Sequence, residues 1–267
     1  MPKIGVIYNP YAGKNRYKAN QYKEKLEKIL DGKGILKVTH SKEDLKTAAK
    51  EFHNEKINIL AISGGDGTNQ CVLTQFVEEY KKDKLPLIML LRGGTMNLLE
   101  TSLKMKGKPT KRMAKMMKLL NNKNLPTVSH TLLRVNNKFG FIFGNGLVTN
   151  VMQEYYTGKK PGFVKALKLF FKSCYGIITG NDFIANLFRP IKANVQVGDT
   201  ILKETTFKGL MAGTERECGL GFKPFYKARN KENKIHFIAI NLEPFQLMKN
   251  LARLKLGRKL KGKSLYD

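Results

Sequence analysis

The sequence predicts an α/β protein: a parallel-sheet nucleotide-binding domain over residues 1–126, followed by a mostly antiparallel, β-sandwich-like domain over residues 127–267. Three observations carry that expectation. Apolar strand-like runs and amphipathic helical segments alternate four times at short spacing in the first part, the pattern of a layered parallel sheet. The segment Ile62-Ser63-Gly64-Gly65-Asp66-Gly67-Thr68-Asn69 directly follows one such run, at the strand end where open α/β sheets place their ligands. Past about Pro126 the texture changes to short apolar pieces separated by turn residues, as in an antiparallel sheet.

The run Lys3–Tyr8 is apolar almost throughout, as a strand buried on both faces is. It ends at the turn Asn9-Pro10-Tyr11-Ala12-Gly13-Lys14-Asn15. Tyr17–Leu30 then reads as an amphipathic helix with Tyr22, Leu26, Ile29 and Leu30 on one side, stopped by Asp31-Gly32-Lys33-Gly34. Ile35–Thr39 is a second strand, and Glu43–His53 a helix behind a Ser41 cap. Strand Ile57–Ile62 leads into the glycine segment, with a helix starting near Asn69 and running over Gln70–Tyr80. Leu87–Leu91 is a fourth strand, followed by Arg92-Gly93-Gly94-Thr95-Met96-Asn97, and Pro109–Leu120 a helix with Lys111, Lys115 and Lys118 on one face. In the second part, strands are expected at Thr131–Val135, Phe139–Phe143, Ile191–Val197, Thr205–Met211 and Ile235–Asn241. One helical segment, Phe163–Tyr175, interrupts them, and Phe245–Leu256 reads as a closing basic helix.

Charge narrows the partners. The formal net charge is +28, and its distribution is uneven. No Asp or Glu lies between Glu100 and Glu154, a stretch with ten Lys and Arg, and Tyr155 to Asn181 is acid-free with Lys159, Lys160, Lys165, Lys168 and Lys172. The tail after Glu243 adds seven basic residues before Asp267. Such a surface attracts anionic lipid or nucleic acid, although charge runs are also often only a solvated face. Few aromatics lie inside the basic runs for base stacking, which argues against nucleic acid. Three separated cysteines, Cys71, Cys174 and Cys218, fit a reducing compartment and small core positions. No apolar run approaches the ~20 residues that span a bilayer, and the first residues lack a signal-peptide pattern. The expected location is cytoplasmic and peripheral to the membrane. A homodimer stays open.

A strand that breaks into glycines and restarts as a helix is how a chain builds a phosphate cradle. Glycine backbones let main-chain N–H groups approach an anion, and the helix aims its positive end there. Asp66, an acid inside the cradle, reads as a holder of magnesium or an orienter of donors rather than as a phosphate ligand.

These elements, in this order, resemble the diacylglycerol kinase catalytic-domain family of bacterial lipid kinases, sphingosine kinases and ceramide kinases. The resemblance rests on Asn9-Pro10 with Gly13-Lys14, on Gly64-Gly65-Asp66-Gly67-Thr68-Asn69, on Gly94-Thr95-Met96-Asn97, and more weakly on Gly219-Leu220-Gly221-Phe222-Lys223-Pro224. NAD kinases share the Gly-Gly-Asp-Gly-Thr element; the Asn-Pro element and the Gly-Thr-x-Asn spacing favour the lipid-kinase branch. The resemblance implies an ATP-dependent lipid kinase with Mg2+, its γ-phosphate passing to a diacylglycerol- or sphingosine-like hydroxyl. It places Gly64, Gly65, Asp66, Gly67, Thr68, Asn69 and Gln70 along the triphosphate, with Asn9, Gly13, Gly94 and Asn97 in the adjoining loops. Thr39 and Thr95 would contact the nucleotide, Lys14 and Arg16 would neutralise phosphate charge, and Asp66 would hold the metal.

The chain departs from that family in three places. Leu98 stands where the family carries Asp. The stretch Lys227–Lys234 holds one carboxylate where the family has an acidic magnesium loop, and a basic loop cannot build a carboxylate cage. The family's terminal Asp-Gly-Glu element, source of a general base, is not found before Asp267. Glu215 and Glu217 are the substitute candidates, since proton acceptance from the acceptor hydroxyl is worth about 10²–10⁴ in rate. Two other readings stay open: a catalytically impaired nucleotide- and lipid-binding protein of the same fold, and an NAD kinase relative. The Phe163–Phe171 stretch is expected either to pack its aromatics into a core or to lie in a membrane interface.

Overall fold

Strand β1 (Ile4–Tyr8) is buried along its whole length and sits between β2 (Gly34–Val38) and β3 (Ile59–Gly64), with β4 (Leu87–Arg92) outside β3. All four run parallel, with Ile4 opposite Gly34 on one side and Ile59 on the other. The computed structural model describes residues 2–94, 96–121, 125–158, 162–229, 233–262 and 265–266. It divides into two compact units, 1–129 with 134–140, and 130–133 with 141–267.

In unit 1, the alternation along each strand supplies two cores. Ile4, Val6, Tyr8, Ile59, Ala61, Met89 and Leu91 meet Leu26 and Leu30 of α1 (Ala19–Leu30), with Met113 of the later helix α5 in the same cluster. A short 3-10 turn, Asn15–Lys18, precedes α1. On the other face lie α2 (Lys42–Asn54), burying Leu45, Ala48, Ala49 and Phe52, and α3 (Asp66–Tyr80), burying Val72, Leu73 and Phe76. Ser41 caps α2 in a reciprocal capping box with Asp44. Helices α4 (Leu98–Ser102) and α5 (Pro109–Leu119) follow β4, and the hairpin β5 (Leu133–Val135) and β6 (Lys138–Gly140) closes the unit. That hairpin docks on α3: Phe139 donates its amide to Thr74 Oγ1 at 2.9 Å. The expected helix start near Asn69 is corrected, since α3 begins at Asp66. Gly67 and Thr68 are weak helix formers, but the first turn makes few intrahelical bonds and tertiary contacts decide it.

Unit 2 is built on the antiparallel sheet β14-β13-β12-β7. Its strands are β7 (Ile142–Gly146), β12 (Gly209–Gly213), β13 (His236–Ile240) and β14 (Leu265–Tyr266). Between β7 and β12 come α6 (Leu147–Tyr156), α7 (Phe163–Thr179), α8 (Asp182–Leu187), and the short strands β8 (Ile191–Lys192), β9 (Gln196–Val197), β10 (Thr200–Ile201) and β11 (Thr206–Phe207). β13 serves both faces: Ile238 and Ile240 pack with Phe225 and Leu242, while Ala239 and Phe237 pack with Val195 and Phe207. A third cluster joins Ile184, Leu187 and Phe188 of the helical part to Leu147 and Ile177.

The fold class is the one expected, with three helices where one was anticipated between the strands. The closing helix is also two, α9 (Pro244–Lys249) and α10 (Leu251–Leu256). Asn250 separates them, its Nδ2 bonding the carbonyls of Gln246 and Lys261 at 2.9 Å each. Phe139–Phe143 is not one strand: Phe139 belongs to β6 and Phe143 to β7. The three thiols are free and half-buried rather than fully within the core. Among the described residues no helix is long and apolar enough to cross a membrane.

Candidate functional site

The carboxyl ends of β1, β3 and β4 lie side by side because the sheet is parallel, and their loops are tied to one another by backbone. Asn9 donates its amide to the Ser63 carbonyl at 3.0 Å, Lys14 to Gly93 at 2.7 Å, and Gly93 to Gly64 at 2.8 Å. Asn9 Nδ2 reaches Thr68 Oγ1 at 2.9 Å, joining the first loop to the first turn of α3. The chain passes from β1 to β2 on one side and returns to β3 on the other, so these loops flank the crevice where the strand order reverses.

Two glycines set the closeness of the approach. A Cβ on Gly94 would lie 2.3 Å from the Gly65 Cα, and one on Gly65 would lie 2.9 Å from the Gly94 Cα. Backbone cannot step aside as a side chain can, so no other residue fits either position without moving a loop. The Gly94 turn is held from within by Asn97, which sits at φ 50° and accepts from the Gly94 amide at 3.0 Å. Asparagine is among the few side chains that tolerate this left-handed backbone.

Asp66 clasps two of these loops. Its Oδ1 accepts from the Leu98 amide at 2.8 Å, supplying to α4 a cap that its own Asn97 side chain does not provide. Burial pushes the Asp66 carboxyl above the ordinary carboxylate range, and the amides of Leu98, Leu99, Asp66 and Asn97 pull it back. The Asn69 side chain is 2% exposed, and neither polar atom of its amide has a partner among the described residues. Such a buried donor–acceptor pair is completed by a ligand or by water.

The structure thus brings together Asn9, Gly13, Lys14, Gly64, Gly65, Asp66, Gly67, Thr68, Asn69, Gly94 and Asn97. Lys14 and Arg16 are exposed, and Arg16 donates to the Tyr11 carbonyl at 3.2 Å. Thr39 is buried at the same end of the sheet, its amide bonded to the Tyr8 carbonyl at 3.0 Å. Gln70 points elsewhere: its Nε2 donates to Thr74 Oγ1 at 3.3 Å, on the flank that meets the β5–β6 hairpin. Thr95 lies outside the described residues, as do Asn230, Lys231 and Glu232 of the expected basic loop.

Glu215 and Glu217 follow β12 in unit 2. Glu215 is 1% exposed, with Oε1 2.6 Å from His130 Nδ1 and Oε2 3.7 Å from the Arg229 guanidinium. Glu217 is partly exposed and pairs with Lys223 at 3.6 Å. Burial, then the charge of Glu217, pushes the Cys218 thiol beside them up to about 12.

Two participants escaped sequence reasoning. Asn15 is 3% exposed, and its Nδ2 donates to the carbonyls of Asn9 at 2.8 Å and Ser63 at 3.1 Å, pinning the first loop. Its position next to Gly13-Lys14 was the available signal. Glu100 is fully buried in α4, and neither carboxyl oxygen has a hydrogen-bond partner among the described residues. Burial, then the charge of Asp66, raises its carboxyl above the usual range, while Arg112 and Arg92 oppose the shift.

A parallel sheet with knitted glycine loops at its carboxyl edge, followed by an antiparallel unit, defines a two-unit α/β protein. Residues 3–127 match the diacylglycerol kinase catalytic domain. A provisionally named lipid kinase of Streptococcus pneumoniae serotype 4 is 35% identical over 102 residues, which span 37% of this chain and 33% of that protein. The match therefore covers about a third of that relative's length. A provisionally assigned diacylglycerol kinase of Bacillus anthracis strain Sterne superposes with a TM-score of 0.68 at 16% identity, over 99% of this chain and 82% of the other. A crystal structure of a diacylglycerol kinase from the same strain gives 0.59 at 15% identity, over 99% and 82%. These structures share the fold.

Proposed function

We propose that the chain is an ATP-dependent lipid kinase that passes the γ-phosphate to a diacylglycerol- or sphingosine-like hydroxyl, working peripherally at a membrane surface. One observation carries this reading: three strand-end loops are knitted into a cradle of backbone amides, with Asp66 fixing two of them, in a part of the chain that matches the diacylglycerol kinase catalytic domain. Phosphoryl transfer depends mainly on positioning and on offsetting charge spread over the transferred group. The amides of the Gly64–Asn69 turn and the positive end of α3 bind the phosphates. Lys14 and Arg16, both exposed in the first loop, supply mobile positive charge.

Among the described residues no group of three or more His, Cys, Asp or Glu is arranged to hold a metal ion. The donors present fit an ion that takes most of its ligands from phosphate and water, as magnesium does. Asp66 would be the protein's carboxylate toward such an ion, which would offset phosphate charge. Of the two candidate carboxylates after β12, Glu217 is the more accessible. Glu215 is buried, within reach of His130 and Arg229.

A second reading, a nucleotide- and lipid-binding protein without transfer, draws on Leu98 in place of an acid and on the ion pairing of Glu215. The deciding experiment offers labelled γ-ATP and magnesium to vesicles carrying diacylglycerol or sphingosine, and in parallel to NAD. Label in lipid with the native chain, falling about 10²-fold or more in Asp66→Ala, supports the kinase. Bound ATP without labelled lipid refutes it in favour of the binding protein. Label in NAD alone refutes it in favour of an NAD kinase relative.

A further inference from the structure

Helix α7 leaves a long apolar face uncovered. Phe163, Val164, Leu167, Phe171, Tyr175 and Ile178 are between 38% and 73% exposed. At about 100° per residue they fall within a single arc of about 120°, along about 25 Å of helix. One edge of this arc does the packing: Phe170 lies 5.7 Å from the Phe222 ring, and Ile177 joins the cluster of Ile184, Leu187 and Phe188. Along the other edge of the arc runs a basic strip of Lys165, Lys168 and Lys172. Lys165 bonds the Thr157 carbonyl, Lys172 sits 3.7 Å over the Phe183 ring, and Lys168 is exposed. The aromatics therefore divide, some holding the helix to its unit and the rest facing outward.

We propose that this face of α7 is the surface by which the protein docks in the interfacial layer of an anionic membrane. The three-sided division, packed, basic and openly apolar, is what a helix lying in the plane of a bilayer requires: apolar residues enter the acyl boundary while lysines meet headgroup phosphates. Charge selects the occupant. The sequence from Tyr155 to Asn181 has no acid, so a second copy laid on this face would set lysine strip against lysine strip. An anionic lipid surface complements both the strip and the net charge of +28. Phe245 on α9, 52% exposed with Lys249 4.6 Å over its ring, repeats the pairing of aromatic and lysine on a helix that α7 contacts. The proposal deepens the lipid-kinase reading by naming the surface that meets the substrate's membrane.

The test is co-sedimentation of the full chain with phosphatidylcholine vesicles, with and without phosphatidylglycerol. Native protein is compared with the combined variant Phe163→Ser, Phe171→Ser, Ile178→Ser, and with Lys168→Gln, Lys172→Gln. All five positions are solvent-facing, so thermal melts should be unchanged. Expected are binding that needs phosphatidylglycerol, a loss of roughly tenfold or more in the serine variant, and a shallower salt dependence in the glutamine variant. Native-like binding by the serine variant, or no binding by the native chain, overturns the proposal. So does a native dimer that the serine variant dissolves while still binding vesicles. The two readings fail separately: docking through α7 without phosphoryl transfer refutes the kinase alone, and transfer with docking indifferent to α7 refutes the surface alone.

Discussion

Glu100 stands two positions beyond Leu98, where the family pattern puts an acid, and it carries that acidity inward rather than to a surface. Its side chain is fully buried beside charges of both signs. Because its folded-state carboxyl holds a proton more tightly than in the unfolded chain, its contribution is full below the ordinary glutamate range near about 4.3 and is lost as pH rises through the raised value. Glu100→Gln, a mimic of the protonated form, should therefore raise the melting temperature at pH 7–8 by a few degrees, on the order of 1 kcal/mol, with the gain vanishing near pH 4. An equal shift at both pH values would show that shape rather than charge decides the site. The sequence could name Asp66 because glycines surround it. It could not name Glu100, because nothing local distinguishes a buried glutamate on a five-residue helix from an exposed one.

At the scale of elements, legibility followed the range of the interactions. Helix α2 was readable from end to end, since its start is written in neighbouring residues: Ser41 accepts from the Asp44 amide at 3.0 Å, and Asp44 accepts from Ser41 and His40. Ser41→Ala should cost about 1 kcal/mol, seen as a lower urea midpoint with an unchanged slope. Helix α3 was readable except for its first turn, where Asn9, 59 residues away in sequence, holds Thr68. Helix α6 escaped notice because Val148, Thr149, Val151, Tyr155 and Tyr156 favour strands, and packing with β7, β12, α7 and α8 overrides that preference. Gly146 at φ 64° opens that helix in a backbone shape that few other residues take.

Across the whole molecule, the two units differ in how they were encoded. Unit 1 repeats one strand–helix step, so alternation of period two and period 3.6 reveals it. Unit 2 gathers three separate hydrophobic clusters from short strands and helices, and pairings such as β12 with β7 join residues more than sixty apart. Local pattern shows that such strands exist and is silent on how they pair. The basic character was equally plain from the sequence, whereas the gathering of the α7 lysines into one strip beside an open apolar face needed the helix in three dimensions.

The ties among Asn9, Asn15, Ser63, Gly64 and Gly93 also determine when the cradle exists. No piece of the chain shorter than the assembled sheet contains it, so a ligand of the cradle distinguishes the native state from everything less folded. A peptide spanning Leu60 to Tyr80 should bind no ATP, whereas the intact chain should melt at temperatures that climb with the logarithm of ATP concentration, by about 2.7 kcal/mol at a hundred times the dissociation constant. A melting temperature indifferent to ATP would count against nucleotide binding by these loops. If the coupling holds, the concentration of nucleotide around the protein sets how long the fold itself survives.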